Sequence, residues 1–465
     1  MSTAAGTPTD GPRRFLALTP QVPNPTQQGA AIRNWNLLAH ISRHFTVDVL
    51  SFGNPGDGTG PRQRPGLPGE PWSRLITVPP PRRSSGRRLG VLLLSGQPDM
   101  ADRLWSPLYL AQLAELLRRE PYDVIQVEGI ELARYLQPIA QHRPPGGGPL
   151  LVFDDHNAEY VLQQRAANND LRRPSSLLAG SYSAVQWRRL RWFEARTMAL
   201  CDLTLCVSEV DAAALQAIAP DRPLVVAPNG VDVAFYSPEG LPRERPRFDL
   251  VFSGSMDYRP NIDAAHWLVG AVWPLVKREQ DPRRSRPLRL ALLGRNPPPE
   301  ITGLVRHSGV TVTGSVADDR PYFAGATVYV VPMRYGGGIR LKLLNALAMG
   351  CAVVSTTPGI EGVDVRHDEH LLIADTAEEF AAAIGRLLND AELRARLGTA
   401  GRAYVREHFD WASITARVIA GYDAALALRS SPVGTPAPIA SEPPPTPPEV
   451  PPTPAAPTEA EGEHP

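Results

Sequence analysis

The stretch Tyr335-Gly336-Gly337-Gly338-Ile339-Arg340-Leu341-Lys342-Leu343-Leu344-Asn345-Ala346-Leu347-Ala348-Met349-Gly350 holds residues whose types and spacing suit chemistry on an anion. Three consecutive glycines leave the backbone bare, and Ile339, Leu343, Leu344 and Leu347 then recur at helical spacing. A glycine-rich turn that opens a helix offers unpaired N–H groups and the positive end of the helix dipole, which together suit a phosphate. Arg340 and Lys342 fall in the first turn of that helix. Cations there oppose the dipole, so an anionic ligand explains them better than local stability does.

A second constellation is Asp154-Asp155-His156-Asn157-Ala158-Glu159, at the end of an apolar run over 150–154 and ahead of a helix. Polar groups crowded at a strand's end belong to a site more readily than to a core. His156 is the residue of interest there, with a satisfied structural histidine as the competing explanation. A third is the Gln28-Gly29 turn, which follows the first strand and a loop with three prolines. Asp154-Asp155 and Asp318-Asp319 are adjacent pairs rather than spaced metal ligands, so no metal site is expected. Cys201, Cys206 and Cys351 lack metal spacing as well, and read as buried free thiols.

The elements that must position these residues follow an α/β rhythm. Strands over 327–332 and 351–355 flank the glycine turn and its helix, which makes a nucleotide-binding unit of a parallel sheet. Upstream, a strand at 14–19, a helix at 30–44 and a strand at 45–50 make a βαβ start, so the Gln28-Gly29 turn faces the carboxyl end of the sheet. Further strands are expected at 122–128, 150–154, 202–207 and 223–227, with a helix at 107–119. The stretch 176–199 reads as a packed amphipathic helix with Trp187 and Trp192 in the core, and Ser208 as the cap of the next helix. Asn229 and Asp232 shape a turn, and the proline-bearing segment 238–247 is a linker. The rhythm then repeats: strands at 248–253, 288–293, 310–313 and 370–374, helices at 261–277 and 376–388, two short helical runs to 408, and a final helix at 411–428. Two similar halves joined by a short linker imply a central cleft.

A chain of 465 residues is too long for one ordinary core. Lys+Arg and Asp+Glu cancel at 48 each, so no overall charge argues for a nucleic-acid partner. Residues 1–12 lack an apolar signal core, and the apolar run 89–94 is far too short to span a bilayer. A cytoplasmic protein is expected, with peripheral contact at the inner face of the membrane left open. The basic cluster 82–88 reads as a solvated loop or as a contact with anionic lipid. Residues 430–465 are acidic and proline-rich, and read as a disordered tail.

Five signatures together carry a family resemblance: Pro23…Gln28-Gly29, Asp154 to Glu159, Asn229-Gly230-Val231-Asp232, Phe252-Ser253-Gly254-Ser255-Met256…Pro260-Asn261, and Gly336 to Gly350 followed by Pro358-Gly359-Ile360-Glu361-Gly362. In that order and spacing the chain resembles the family-4 retaining glycosyltransferases of the GT-B fold, especially the exopolysaccharide-type sugar transferases. The resemblance implies two Rossmann-like domains with a central cleft. They would comprise an acceptor-binding domain over 13–237 and a nucleotide-sugar-binding domain over 248–408, with a helix over 409–429 crossing back to the first. Arg340 and Lys342 would neutralise the donor's diphosphate, with N–H groups around Gly337 and Gly338. Gly254 would admit the nucleotide, Asn345 would meet its ribose, and Glu361 would contact the donor or cap its loop. Gln28, Gly29 and His156 would hold the acceptor and the transferred sugar. No cofactor or metal is implied beyond the nucleotide-sugar donor. The acceptor would be a glycan, a lipid-linked molecule or a small molecule, and the role surface polysaccharide synthesis. The alternatives are a catalytically silent nucleotide-binding homologue acting as a scaffold in glycan assembly and, ranked last, a sugar-nucleotide epimerase of the same fold. The chain departs from the family in having Asn345 and Gly337 where two glutamates usually stand, and Ser255 where arginine is common.

Overall fold

The computed structural model describes residues 12–24, 30–53, 69–82, 96–144, 147–171, 177–335 and 338–430. Gln28, Gly29, Gly336, Gly337, the basic residues at 83–88, the apolar run 89–94 and the proline-rich tail lie outside the described residues.

Continuous apolar runs make strands that are buried on both faces, as a parallel sheet between helical layers requires. β1 (Arg14–Thr19), β2 (Thr46–Phe52), β3 (Arg74–Val78), β4 (Val124–Glu128), β5 (Leu150–Asp155), β6 (Leu203–Cys206) and β7 (Leu224–Val226) form one sheet in the order β3-β2-β1-β4-β5-β6-β7. β8 (Phe248–Ser253), β9 (Leu290–Leu293), β10 (Val310–Gly314), β11 (Ala326–Val331), β12 (Val353–Ser355) and β13 (Leu372–Ile373) form the second in the order β10-β9-β8-β11-β12-β13. Every pairing in both sheets is parallel. Strand order reverses once in each, at β1/β4 and at β8/β11. Ligand crevices of open parallel sheets lie at the carboxyl ends of the strands beside such a reversal. The residues that follow β1, β4, β8 and β11 are therefore placed for function, with those after β5 one strand further along.

The lobes are tied twice. Val231 N donates to Phe409 O at 2.8 Å. Gly230 has to stay bare at this crossing, because a Cβ there would fall 2.7 Å from Ile414 Cδ1 and 2.8 Å from Phe409 O. The last helix, Trp411–Ser430, then packs on the N-terminal lobe. Its Tyr422 is fully buried, with ring centroids 6.1 Å from Phe15 and 6.4 Å from Phe45. Among the described residues no helix is long and apolar enough to cross a membrane. The three cysteines are buried and free.

Several expectations are corrected. The two short helical runs before residue 408 are one helix, Ala391–His408. Its glycines permit close packing rather than breaking it: a Cβ on Gly398 would lie 2.3 Å from Gly350 O, and one on Gly401 2.7 Å from Leu347 Cδ2. The helix expected at 261–277 begins at Arg259, passes through a π turn at Leu268–Val272 and ends at Gln280. Pro274 sits just after that turn, where its missing N–H is absorbed by the altered hydrogen bonding. β3 was not legible as a strand, being an edge element with only Val78 buried. Trp192 is 47% exposed rather than in the core. It lies on an outward ridge of the Leu177–Leu200 helix, with the Arg196 guanidinium 5.2 Å from its ring. Trp187 is partly exposed, with Arg188 4.7 Å from its ring.

Candidate active site

In the C-terminal lobe the crevice forms between the exits of β8 and β11. The Leu341–Ala348 helix buries Leu343, Leu344, Ala346 and Leu347. Arg340 is its N-cap, in extended conformation, so the first helical turn begins one residue later than the sequence suggested. The reason is local: Gly338 turns the chain at φ +73°, and Ile339 is pinned by Gly362, where a Cβ would fall 2.8 Å from Ile339 Cγ1. Lys342, in the first turn, is half-buried and reaches back to the other strand exit. Its Nζ donates to Asn261 Oδ1 at 2.5 Å and lies 4.6 Å from the Phe252 ring centroid. Asn261 Nδ2 in turn donates to Ser255 O at 2.8 Å, fixing the turn after β8.

This turn is built on glycine. A Cβ on Gly254 would fall 2.7 Å from Lys342 Nζ, and one on Gly294, at the exit of β9, 1.7 Å from Gly254 O. Burial, reinforced by the nearby Arg340 charge, pushes the Lys342 amine down to about 7. Arg340 is buried, and that burial lowers its pKa too, offset by Glu361. Arg340 Nη2 lies 3.7 Å from Glu361 Oε2 and 3.5 Å from Pro358 O. A guanidinium and an amine held together at a helix N-terminus suit a diphosphate, whose negative charge favours the protonated form of the amine. Asn345 lies three residues after Lys342, half-buried.

In the N-terminal lobe, β4 and β5 run in register so that Glu128 pairs with Asp154. Two carboxylates side by side repel, and each is answered. Arg33, on the Ala30–Ile41 helix, clamps Asp154 with Nε and Nη2 at 3.0–3.1 Å and reaches Ala227 O at 2.8 Å and Asn229 Oδ1 at 3.4 Å. His156 Nε2 meets Glu128 Oε2 at 3.0 Å. Burial disfavours the charged imidazole, but the Glu128 hydrogen bond and the Asp154 charge outweigh it and raise its pKa. Glu128 is raised by burial and by Asp154, and the His156 hydrogen bond works against that rise.

Glu128, Asp154 and His156 bring ligand-type atoms within 4.8 Å of one another, the kind of cluster a metal ion can use. Both Asp154 oxygens are taken by Arg33, so a guanidinium already supplies the positive charge. On the opposite face Asp155 is buried beside Glu194, Glu159 and Asp211. Burial and these neighbouring charges raise its pKa well above that of an ordinary carboxyl. Glu194 accepts from Glu159 N and Tyr160 N at 2.7 and 3.2 Å, and burial pushes it up to about 8.

The structure thus gathers Gly254, Gly338, Arg340, Lys342 and Glu361 in one crevice and places His156 in the other lobe. Asp232 accepts from Ala234 N and Phe235 N, the turn-shaping role expected of it. Sequence reasoning missed Arg33, Glu128 and the Lys342 contact of Asn261. A signal for Glu128 existed: in Val124–Glu128, Gln126 and Glu128 alternate as polar residues on one face of a central strand, where apolar residues are the rule.

A family model described as Glycosyltransferase Family 4 matches residues 28–235, and one described as Glycosyl transferases group 1 matches residues 247–390. An MMP alpha-(1->4)-mannosyltransferase of Mycolicibacterium hassiacum is 29% identical over 219 residues, which cover 45% of this chain and 50% of that protein. A GDP-mannose-dependent alpha-(1-6)-phosphatidylinositol monomannoside mannosyltransferase of Mycobacterium tuberculosis is 26% identical over 309 residues, 59% of this chain and 79% of that protein. The chain therefore spans about half the length of the first relative. In fold it is similar to Anabaena HepE, solved in complex with UDP: TM-score 0.57 and 16% identity, covering 88% of this chain and 100% of that one.

Proposed function

The chain belongs to the family-4 glycosyltransferases of the GT-B fold, and from that membership we propose that it moves a sugar from a nucleoside-diphosphate donor to a hydroxyl of a glycan or lipid-linked acceptor, with retention at the anomeric carbon. The observation that carries this reading is the packing of the Lys342 amine against Gly254 and Asn261, next to Arg340, at a helix N-terminus between two strand exits.

In this reading the donor's diphosphate lies on Lys342, Arg340 and the N–H groups at Gly338. The bond between the anomeric carbon and the diphosphate oxygen breaks, and the acceptor oxygen takes its place on the same face. The acceptor's proton passes to the departing diphosphate. The two cations stabilise the charge that develops on the leaving group, which makes a metal ion unnecessary for that step. His156 meets the transferred sugar or the acceptor from the other lobe. UDP in HepE and GDP-mannose in the mycobacterial relative support a nucleoside-diphosphate sugar as the donor class. The phosphatidylinositol monomannoside in the name of the mycobacterial relative supports a lipid-linked acceptor, and we extend this to surface glycan synthesis at the inner face of the membrane.

The test is a turnover assay that detects free nucleoside diphosphate across a panel of UDP-, GDP- and ADP-sugars, with Lys342→Met as the control. Donor consumption that depends on Lys342 is the expected result. Nucleotide binding without consumption of any donor, whatever the acceptor supplied, would leave the chain a silent scaffold.

A further inference from the structure

Behind His156 a line of buried side chains runs back through the sheet. Gln126 and Glu128 alternate on one face of β4 and are both buried, with 0% and 1% exposure. Gln126 Nε2 donates to Glu128 Oε1 at 2.6 Å. The Tyr422 hydroxyl, on the last helix, donates to Gln126 Oε1. Asn34, with its NH2 turned inward, donates to Glu128 Oε2 at 3.0 Å. The carboxylate therefore has one oxygen held by Gln126 from its own strand and the other by Asn34 from the first helix, with Tyr422 behind Gln126, and its further partner among the described residues is His156 Nε2.

A buried network with every member satisfied fixes geometry closely. A carboxylate suits this place because each of its oxygens accepts, whereas an amide of the same shape would turn its NH2 toward one of the two donors. The charge makes sense with respect to the imidazole. With Nε2 engaged, Nδ1 makes no hydrogen bond among the described residues, and the side chain stays 18% exposed. Gly129, at φ +79°, lies beside the Nδ1 edge: a Cβ there would fall 3.1 Å from Glu131 Oε2 and in ordinary contact with the ring, 3.7 Å from Nδ1 and 3.8 Å from Cε1.

We propose that Glu128 is the positioning residue for His156, and that Gln126 and Tyr422 fix the Glu128 carboxylate so that the ring presents Nδ1 to a hydroxyl of the transferred sugar or the acceptor. This rests on the reading of His156 given above. It also makes the last helix, which continues from the donor-binding lobe, part of the acceptor-side machinery. The charged groups around the ring are Glu128 on β4, Asp154 on β5, Arg33 on the first helix, Glu131 on the loop after β4 and Glu159 at the start of the helix after β5.

The test is a double-variant cycle in the full chain, read by turnover of the preferred donor and acceptor. Glu128→Gln keeps the shape, removes the charge and leaves one of the two amide donors unanswered. It should lower kcat by about ten- to a hundredfold, the order lost when a reacting group is displaced, with donor KM unchanged. The limb of the kcat/KM profile that reports His156 should move to lower pH, because the carboxylate that raises its pKa is gone. On a His156→Ala background, Glu128→Gln should add nothing. Losses that add, or a limb that does not move, would make Glu128 a structural residue and overturn the proposal. If Glu128→Gln does not fold, Glu128→Asp, which keeps the charge and shortens the reach, should show the same loss of kcat, and full turnover in it counts against the proposal. Full turnover in His156→Ala would remove both this proposal and the role of His156, while leaving the Lys342-dependent donor reading in place.

Discussion

Lys342 Nζ occupies the space a side chain on Gly254 would need, 2.7 Å from where its Cβ would be. The two residues come from the exits of neighbouring strands, β8 and β11, and the missing side chain is what lets the amine cross between them. Gly254→Ala should therefore push the amine off Asn261 and out of reach of a diphosphate. One charge-assisted hydrogen bond is worth about 1.5–3 kcal/mol, so donor KM should rise by about ten- to a hundredfold. Steady-state kinetics with varied donor measures it, and an unchanged KM would mean the amine does not meet the donor.

The Lys342 amine, pushed down to about 7, is largely neutral in the free protein at pH 8. A bound diphosphate favours the ammonium, so binding should draw in a proton. Nucleoside diphosphate affinity is expected to weaken as pH rises from 7 to 9. Calorimetry in two buffers of different ionisation enthalpy should report uptake of up to about one proton at pH 8. Lys342→Arg, whose guanidinium stays charged, should abolish the uptake. The same depressed value has a stability consequence of definite sign. Between about 7 and the ordinary lysine value of 10.5 the unfolded chain holds a proton that the fold does not, so this group's penalty shrinks as pH rises across that window.

The parts of this site that were legible in the sequence are those that repeat a local pattern. The glycine turn before an apolar helix announced Arg340 and Lys342, and polar crowding at the end of β5 announced His156. What could not be read is what arrives from far along the chain. Asn261 reaches Lys342 across 81 positions, Arg33 reaches Asp154 across 121, and Tyr422 reaches Gln126 across 296. No periodicity encodes such pairings; they are consequences of strand order. Gly398 and Gly401 misled for the opposite reason, because a glycine that permits close helix packing has the same local signature as one that ends a helix.

Asn345 follows Lys342 by three residues, so their side chains share one face of the Leu341–Ala348 helix. An amide there offers a ribose hydroxyl only a neutral acceptor, whereas a carboxylate offers a bond about twice as strong. Asn345→Glu should also raise the Lys342 pKa by adding a negative charge one turn away. Both effects favour the nucleotide, so donor KM should fall by about threefold to tenfold, the return on roughly 1 kcal/mol. Calorimetry with the nucleoside diphosphate separates the two: diminished proton uptake at pH 8 reports the raised Lys342 pKa, and a gain in affinity that persists at pH 6, where the amine is already charged, reports the ribose contact. A higher KM would place Asn345 away from the ribose.

Arg33 and Asp154 are 2% and 0% exposed, and Arg33 also holds the carbonyls of Ala227 and Pro228 where the chain leaves the N-terminal lobe. Removing one partner of a buried pair strands the other charge, which costs about 3–5 kcal/mol. Arg33→Ala should therefore lower the urea midpoint sharply, and Asp154 would sit unanswered beside Glu128. The pair itself need not be a net source of stability. Replacing both, as Arg33→Met with Asp154→Leu, removes the stranded charge and should recover most of the midpoint. Turnover is expected to behave differently. The double variant strips the neighbouring charges from the Glu128–His156 pair and loosens the crossing at Asn229, so it should fold yet turn over slowly. Stability that returns without activity would assign the ion pair to the placement of His156 and the lobe crossing, whereas activity that returns with it would make Arg33 a residue of the core alone.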